Sequence, residues 1–533
     1  MFRKTAPLVL LALAACGGSS QSDETEQPFT SDVATLLTFE FDATLVTASP
    51  ALPKGQIRAQ LLYTVGQLNG VASVARLDKV QLSNIVTTAL GAGLSRIAYH
   101  ARLPVAWGSK TNLPTSFPLS LPLHVDAGGQ NAFFSAYSAS CGQPEGHELL
   151  LSNFWFYYRP AMGGCAVASA DASAPRTSVS VHPLNTVSKY PEYHRVWEDG
   201  SLDVLAVFGK YEKGATSDYD AGISALNAFV AAVRTELPGA TITPASLTGA
   251  PGAANPDVVI QAQLPNGRTV SVAALLVDEV KTAPPSFDKR YAELSAGADL
   301  IVYNGHAGLG SNVASLALKG AFFPGKYQIV FFDGCDTFAY ADDTLATRRA
   351  ALNTDDPTGT KYMDVVTNAM PAFFANMSDA SMALIRALLN PEVPKSYPAI
   401  FHEVSADHVV VAMGEEDNVF RPGTPLTPRF SKLHENGFVG YGESVVYTTD
   451  LLPAGSYSFQ LTADWAFPSG DGDLRVRAGS APLPGPTYKC KSYVGNTNEK
   501  CTLKLTAPSK VFLSVTGDKQ GAQSHFDLRG FGG

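Results

Sequence analysis

Two stretches decide how this chain is read: DLIVYNGHAGLG at 299–310 and YQIVFFDGCDTFAY at 327–340. Each is a short apolar run that ends in glycine and a residue capable of chemistry, His306 in the first and Cys335 in the second. Continuous apolar runs of this length suit strands buried on both faces of a parallel sheet. Cys335 follows His306 by 29 positions, room for one helix and one strand. Such a segment is a crossover that returns the chain beside its starting strand. Both residues then emerge at the carboxyl edge of the sheet, where open α/β sheets hold their ligands.

The two residue types belong together chemically. A thiol with a pKa of about 8.5 is mostly protonated at neutral pH, and a neighbouring imidazole can take its proton and later protonate a leaving amine. Gly305, Gly308 and Gly334 let the backbone come close to a substrate. The N–H of Cys335 and that of a residue just after His306 are candidates for an oxyanion hole. Gly308 and Gly334 are therefore expected at oxyanion or backbone contacts. Asn304 and Asp333 stand beside these glycines and are read as turn residues.

The same alternation extends outward. An apolar strand is expected at 202–208, an amphipathic helix at 221–237, a helix at 287–295, a short helix at 313–319, a helix at 377–389 and a strand at 409–413. Residues 196–435 thus read as an α/β domain with a mostly parallel sheet. Before it, 31–195 reads as a mixed, mainly-β domain. Leu37, Phe39, Phe41 and Leu45 alternate, Leu149 to Leu151 and the cluster Phe154-Trp155-Phe156-Tyr157-Tyr158 read as strands, and 79–94 carries apolar residues near helical spacing. After it, 440–533 shows only turn-bounded strands, near 444–448, 456–462, 473–477, 502–505 and 511–515, and reads as a β-sandwich.

Apolar strand, His, Gly, spacer, apolar strand, small residue, Cys is a pattern that resembles the caspase, gingipain, clostripain and legumain group of cysteine peptidases, over roughly 200–415. This resemblance implies a caspase-like fold, a peptide or protein substrate, no cofactor, Cys335 as nucleophile and His306 as general acid/base. The chain departs from the group by placing Ala307 between His306 and Gly308. The rival reading is a surface adhesion or scaffold protein that keeps a peptidase fold without the activity. In the last region GDGDLRVRAGSAPLPGPTYKCKSYVGNTNEKCTL resembles the bacterial pre-peptidase C-terminal domain, with Asp471, Asp473, Gly479-Ser480-Ala481-Pro482 and the Cys490/Cys501 pair. That family implies attachment to secreted hydrolases.

The amino end points to export. Arg3 and Lys4 precede an apolar run and small residues, the layout of a secretory signal too short to span a bilayer. Leu13-Ala14-Ala15-Cys16 resembles the lipobox of bacterial lipoproteins, which implies a signal peptide over 1–15 and a diacylglyceryl group on Cys16. The expected partner is then a membrane held through acyl chains, two of which anchor stably where one would not. Gly17, in place of the aspartate that marks inner-membrane retention in many bacteria, points to the outer membrane. Residues 16–30 are small, polar and acidic, the composition of a flexible stalk.

Cysteine spacing agrees with an oxidising compartment. Of six cysteines, Cys141 and Cys165 form one local pair and Cys490 and Cys501 another, each expected as a disulfide. Cys335 stands outside both pairs, and such a residue is either buried and inert or kept for a reactive thiol. A net charge of −9 without a basic run excludes nucleic acid as a partner. There is no HExxH, GxSxG or phosphate-binding loop, no metal is expected, and the acidic pairs Asp342-Asp343 and Asp355-Asp356 lack calcium-loop spacing.

Overall fold

Nine strands in one mixed sheet organise the middle of the chain, and five of them run parallel at its centre. The computed structural model describes residues 28–144, 147–186, 188–323, 325–414, 418–426, 433–464, 470–481, 488–491 and 497–532. The expected signal segment and Cys16 lie outside the described residues. In chain order the five central strands are β1 (Ser201–Gly209), β2 (Thr269–Val277), β3 (Leu300–Asn304), β4 (Gln328–Asp333) and β5 (Met363–Asn368). In space they lie side by side as β2, β1, β3, β4, β5.

Helices cover both faces, which is why these strands are largely apolar. Helices α1 (Ala221–Glu236) and α4 (Phe374–Leu389) pack with Val204, Ala206, Phe208 and Val302 on one face. Helices α2 (Pro285–Gly297) and α3 (Ser311–Lys319) pack with Leu205, Val207, Ile301 and Val330 on the other. Alternate residues of one strand thus enter two cores, and no face is left for polar groups.

The sheet is less parallel than expected. Among the described residues, four strand pairings are parallel and four antiparallel. The antiparallel flank beside β2 arises because Asp257–Gln263 joins it through a turn of a few residues, too short for a crossover. On the other flank Val410–Gly414 runs antiparallel to β5. Thr30–Ser31 pairs with it in turn, and Phe29 is buried, so Phe29 and Thr30 do not belong to the stalk expected through residue 30. An apolar ring that can be buried is not solvated linker.

Two expectations in the first region fail. Residues 79–94 form no helix: Gln81–Gly91 is a strand paired with Leu94–Trp107, and the apolar spacing near 3.6 is incidental on an arm whose faces are both largely exposed. Leu149 and Leu150 lie in a loop that enters a turn at Leu151, and Phe154–Tyr157 form one helical turn. Its rings join Tyr63, Phe133 and Tyr158 in a close aromatic cluster, where packing overrides the strand preference of aromatic residues. The six-stranded sheet of this region nevertheless makes it mixed and mainly β. The disulfide Cys141–Cys165 closes its aromatic segment.

The carboxyl-terminal region has two four-stranded antiparallel sheets around a shared core of Phe459, Leu474, Val476, Leu513 and Phe526, and the disulfide Cys490–Cys501 packs into it through the buried Cys501. Leu433–Val439 pairs with Ser524–Gly532, so the sandwich begins before residue 440.

Candidate functional site

Three adjacent parallel strands end together. The register aligns Phe208 with Asn304 and Asn304 with Asp333, so the residues that follow β1, β3 and β4 share the carboxyl edge. These are Lys210-Tyr211, Gly305-His306 and Gly334-Cys335. The close approach requires glycine. A Cβ on Gly305 would stand 3.1 Å from the Cα of Gly209, and one on Gly334 would stand 2.6 Å from the Gly305 carbonyl oxygen. Any side chain there would wedge the strand ends apart.

His306 is half-buried and tightly held. Its carbonyl accepts from the Tyr303 hydroxyl and from Asn312 Nδ2, both at 2.8 Å. Its ring packs against those of Tyr211 and Phe374, at 5.1 and 4.9 Å between centroids, and these two also meet each other at 5.4 Å. Nε2 stands 3.2 Å from the Tyr211 carbonyl oxygen. A carbonyl only accepts, so Nε2 carries the proton and, in the neutral ring, Nδ1 keeps the lone pair. Burial pushes the imidazole below its usual pKa, the Tyr211 carbonyl opposes this, and the nearby His147 adds to it.

The Tyr211 carbonyl is itself fixed, by Asp220. One carboxylate accepts from the N–H groups of Tyr211 and Glu212 at 3.1 and 2.8 Å, and from Gly222 and Ile223 at 3.0 and 3.1 Å. It caps α1 and pins the turn after β1 in a single arrangement. Burial raises this carboxyl, but the four N–H groups together hold it below the ordinary range.

Cys335 is half-buried, outside both disulfides, with Sγ 3.6 Å from the Ala372 carbonyl oxygen. The next residue, Asp336, takes a left-handed conformation with φ of 54° and receives a hydrogen bond of 3.0 Å from Asn69 of the first domain. Thr337 ties the turn down by donating to the Phe332 carbonyl at 2.6 Å and accepting from the Asn368 N–H at 2.9 Å. The segment after the cysteine is therefore rigid.

The glycines divide. Gly334 does not offer an N–H, because it donates to the Phe332 carbonyl at 3.1 Å, and its part is the close approach of the strands. Among the described residues the N–H groups of Ala307 and Gly308 meet no acceptor, and Gly308 has φ of 60°. Asp333 lies beneath the edge, fully buried, with Asn368 Nδ2 donating to it at 2.6 Å. Burial pushes its carboxyl up to about 7, against the amide hydrogen bond. Tyr211, Asp220, Phe374 and His147 escaped the sequence reading, although Asp220 directly before a predicted helix was a legible cap.

The fold and this edge define an α/β domain with a thiol and an imidazole at adjacent strand ends, set between two β-rich domains. No family model and no curated protein matches the chain. Solved structures match parts of it. One is a periplasmic inhibitor of g-type lysozyme, PliG, from Aeromonas hydrophila, with 13% identity over 19% of this chain and 85% of that one at a TM-score of 0.16. A pre-peptidase C-terminal domain of collagenase from Bacillus anthracis shares 13% identity over 18% of this chain and 87% of that one, with a TM-score of 0.15. Dimeric latent PorU from Porphyromonas gingivalis shares 11% over 24% of this chain and 16% of that one, with a TM-score of 0.10. Scores this low assign neither a fold nor an activity.

Proposed function

We propose that this protein is an exported, lipid-anchored cysteine endopeptidase with a caspase-like middle domain, acting through Cys335 and His306. What supports the reading is one observation: the two residues follow register-aligned, neighbouring parallel strands, and the imidazole is oriented by a backbone carbonyl. His306 Nδ1 takes the thiol proton, and the thiolate attacks the scissile carbonyl. The developing oxyanion is met by the N–H groups of Ala307 and Gly308. The imidazolium, stabilised by the Tyr211 carbonyl, then gives its proton to the leaving amine. Water, deprotonated by the same imidazole, hydrolyses the thioester and frees the thiol. The substrate is a peptide or protein, and the chemistry needs no cofactor.

The anchor is a diacylglyceryl group on Cys16, with palmitate among its acyl chains, and the site of residence is the outer membrane. Two disulfides fit an oxidising compartment. The test of the activity is hydrolysis of a peptide library by wild-type protein and by Cys335→Ala. Equal turnover by both sinks the peptidase. The test of the anchor is incorporation of labelled fatty acid, which Cys16→Ser must abolish.

A further inference from the structure

The first domain reaches the site. His147 lies on its disulfide-closed segment, and its ring meets that of His306 edge-on, with 6.2 Å between centroids and 77° between planes. His147 is exposed, yet it is not loosely held. Its ring stacks on Tyr157 at 6.1 Å, its N–H donates to the Pro144 carbonyl at 2.8 Å, and Tyr157 is buried. The two sides of the segment are joined by Arg159 donating to the Cys141 carbonyl at 2.8 Å and Gln143 donating to the Tyr157 carbonyl at 3.0 Å.

The domain that carries this segment is fixed to the α/β domain. Phe29, Leu36, Val65, Phe156 and Tyr157 share one core with Phe338, Val409, Val411 and Met413, and Cys335 packs at its margin. Arg76 donates to the Ala341 carbonyl at 2.6 Å and lies over the Phe338 ring, and Lys79 pairs with Asp343 at 2.7 Å. A shared apolar core and sheet pairing through Thr30–Ser31 are features of a permanent neighbour, not of a segment shed on maturation.

We propose that His147 is a positioning residue of the site, delivered across the domain boundary, whose ring braces His306 and whose charge opposes protonation of His306. Its part in catalysis rests on the peptidase reading above, whereas the coupling of the two imidazoles does not. Two unit charges about 6 Å apart, even in a water-like medium, displace each other's titration by about half a pH unit. Among the described residues the other titratable groups around His306 are Tyr211, Glu212 and Asp220 beyond β1 and Tyr303 of its own strand, with Cys335 at the end of the neighbouring strand β4. The two carboxylates favour the imidazolium, and His147 works against them.

The experiment is a pH titration of the imidazole carbon signals in full-length protein carrying ring-labelled histidine, with His306→Gln assigning one of the ten histidines. Replacing the brace by His147→Ala raises the His306 midpoint by about half a unit or more. His147→Phe, which keeps a ring and loses the charge, raises it equally. An unchanged midpoint in His147→Ala overturns the proposal, as does a rise in Ala that Phe suppresses, since only ring packing would then be at work. In an active enzyme the acid limb of kcat/KM moves upward by the same amount. Should the wild type hydrolyse nothing while the midpoint still moves, the coupling stands and the peptidase reading falls.

Discussion

The two edges of the central sheet are built on opposite electrostatic plans. At the amino edge Asp199, Asp203 and Asp299 meet Lys326 and, from the carboxyl-terminal sandwich, Arg529 and Asp527, and this cluster is largely buried. Arg529 reaches Asp199 and Asp527 at 2.7 Å and Asp203 at 3.5 Å. At the carboxyl edge, among the described residues, no ion pair involves His306, and the acid beneath it, Asp333, has an amide for a partner. Charge paired with charge fixes a domain in place, because separating such partners strands a desolvated ion. At the carboxyl edge the His306 ring is instead oriented by an uncharged partner, the Tyr211 carbonyl. The sheet therefore keeps its buried charge cluster at one end and the His306–Cys335 pair at the other, where the ion pair Lys210–Asp278, at 2.7 Å, does not involve His306.

The largest test of this division is Cys335→Ala. Hydrolysis falls to background, while the melting temperature stays within a few degrees, because a half-buried side chain of this size leaves little cavity. A large loss of stability would mean that the thiol is a packing element. Next in size is Arg529→Ala, which removes the guanidinium shared by Asp199, Asp203 and Asp527, leaves Asp199 to Lys326, and costs about 3–5 kcal/mol in urea or thermal unfolding. The protein that remains folded keeps wild-type kcat/KM. Stability equal to wild type would deny the amino edge its role, and lost activity in the folded protein would deny that the edges are independent.

Asp333 and Asp199 sharpen the contrast through pH. Burial raises the Asp199 carboxyl, but Lys326 and Arg529 outweigh it and the group ends below its ordinary value. Among the described residues no such cation faces Asp333, and burial pushes it up to about 7. A carboxyl raised in the folded state binds its proton more tightly there than when unfolded. Its contribution to stability is complete below the unfolded value of about 4 and is lost as pH rises through about 7. Asp333→Asn, which keeps the shape and cannot ionise, flattens the decline in melting temperature between pH 5 and 8. Parallel curves for the two proteins would show that Asp333 ionises at its usual pH.

Much of the sheet centre was legible because β1, β3 and β4 are apolar on both faces, a pattern that depends on little beyond burial. Less legible were strands whose partners set them. Met363–Asn368 mixes polar with apolar residues because its Asp364 meets Lys189 at 2.6 Å inside the fold. The arm at 81–91 is exposed, so no buried face stamps a period of two on it. At the site, His306 and Cys335 stand out by residue type and by their place after an apolar run. What orients them does not: the Tyr211 group used is a backbone carbonyl, which every residue carries, and His147 arrives from another domain.

Asp220 is the smallest of these effects and the most local. Its carboxylate serves four N–H groups, two at the start of α1 and two in the turn that presents the Tyr211 carbonyl. Loss of a helix cap costs about 1 kcal/mol, so Asp220→Ala lowers stability only that far. Freeing the turn lets the carbonyl that fixes His306 Nε2 wander, and mispositioning by an ångström costs up to about a hundredfold in rate. A fall in kcat/KM of about tenfold is expected, carried by kcat with KM unchanged, since Asp220 does not touch substrate. Asp220→Asn keeps one acceptor oxygen for the same N–H groups and recovers part of the rate. A variant that loses the 1 kcal/mol and no activity would show that the cap matters to the helix alone, and that the Tyr211 carbonyl holds the imidazole without help from the carboxylate behind it.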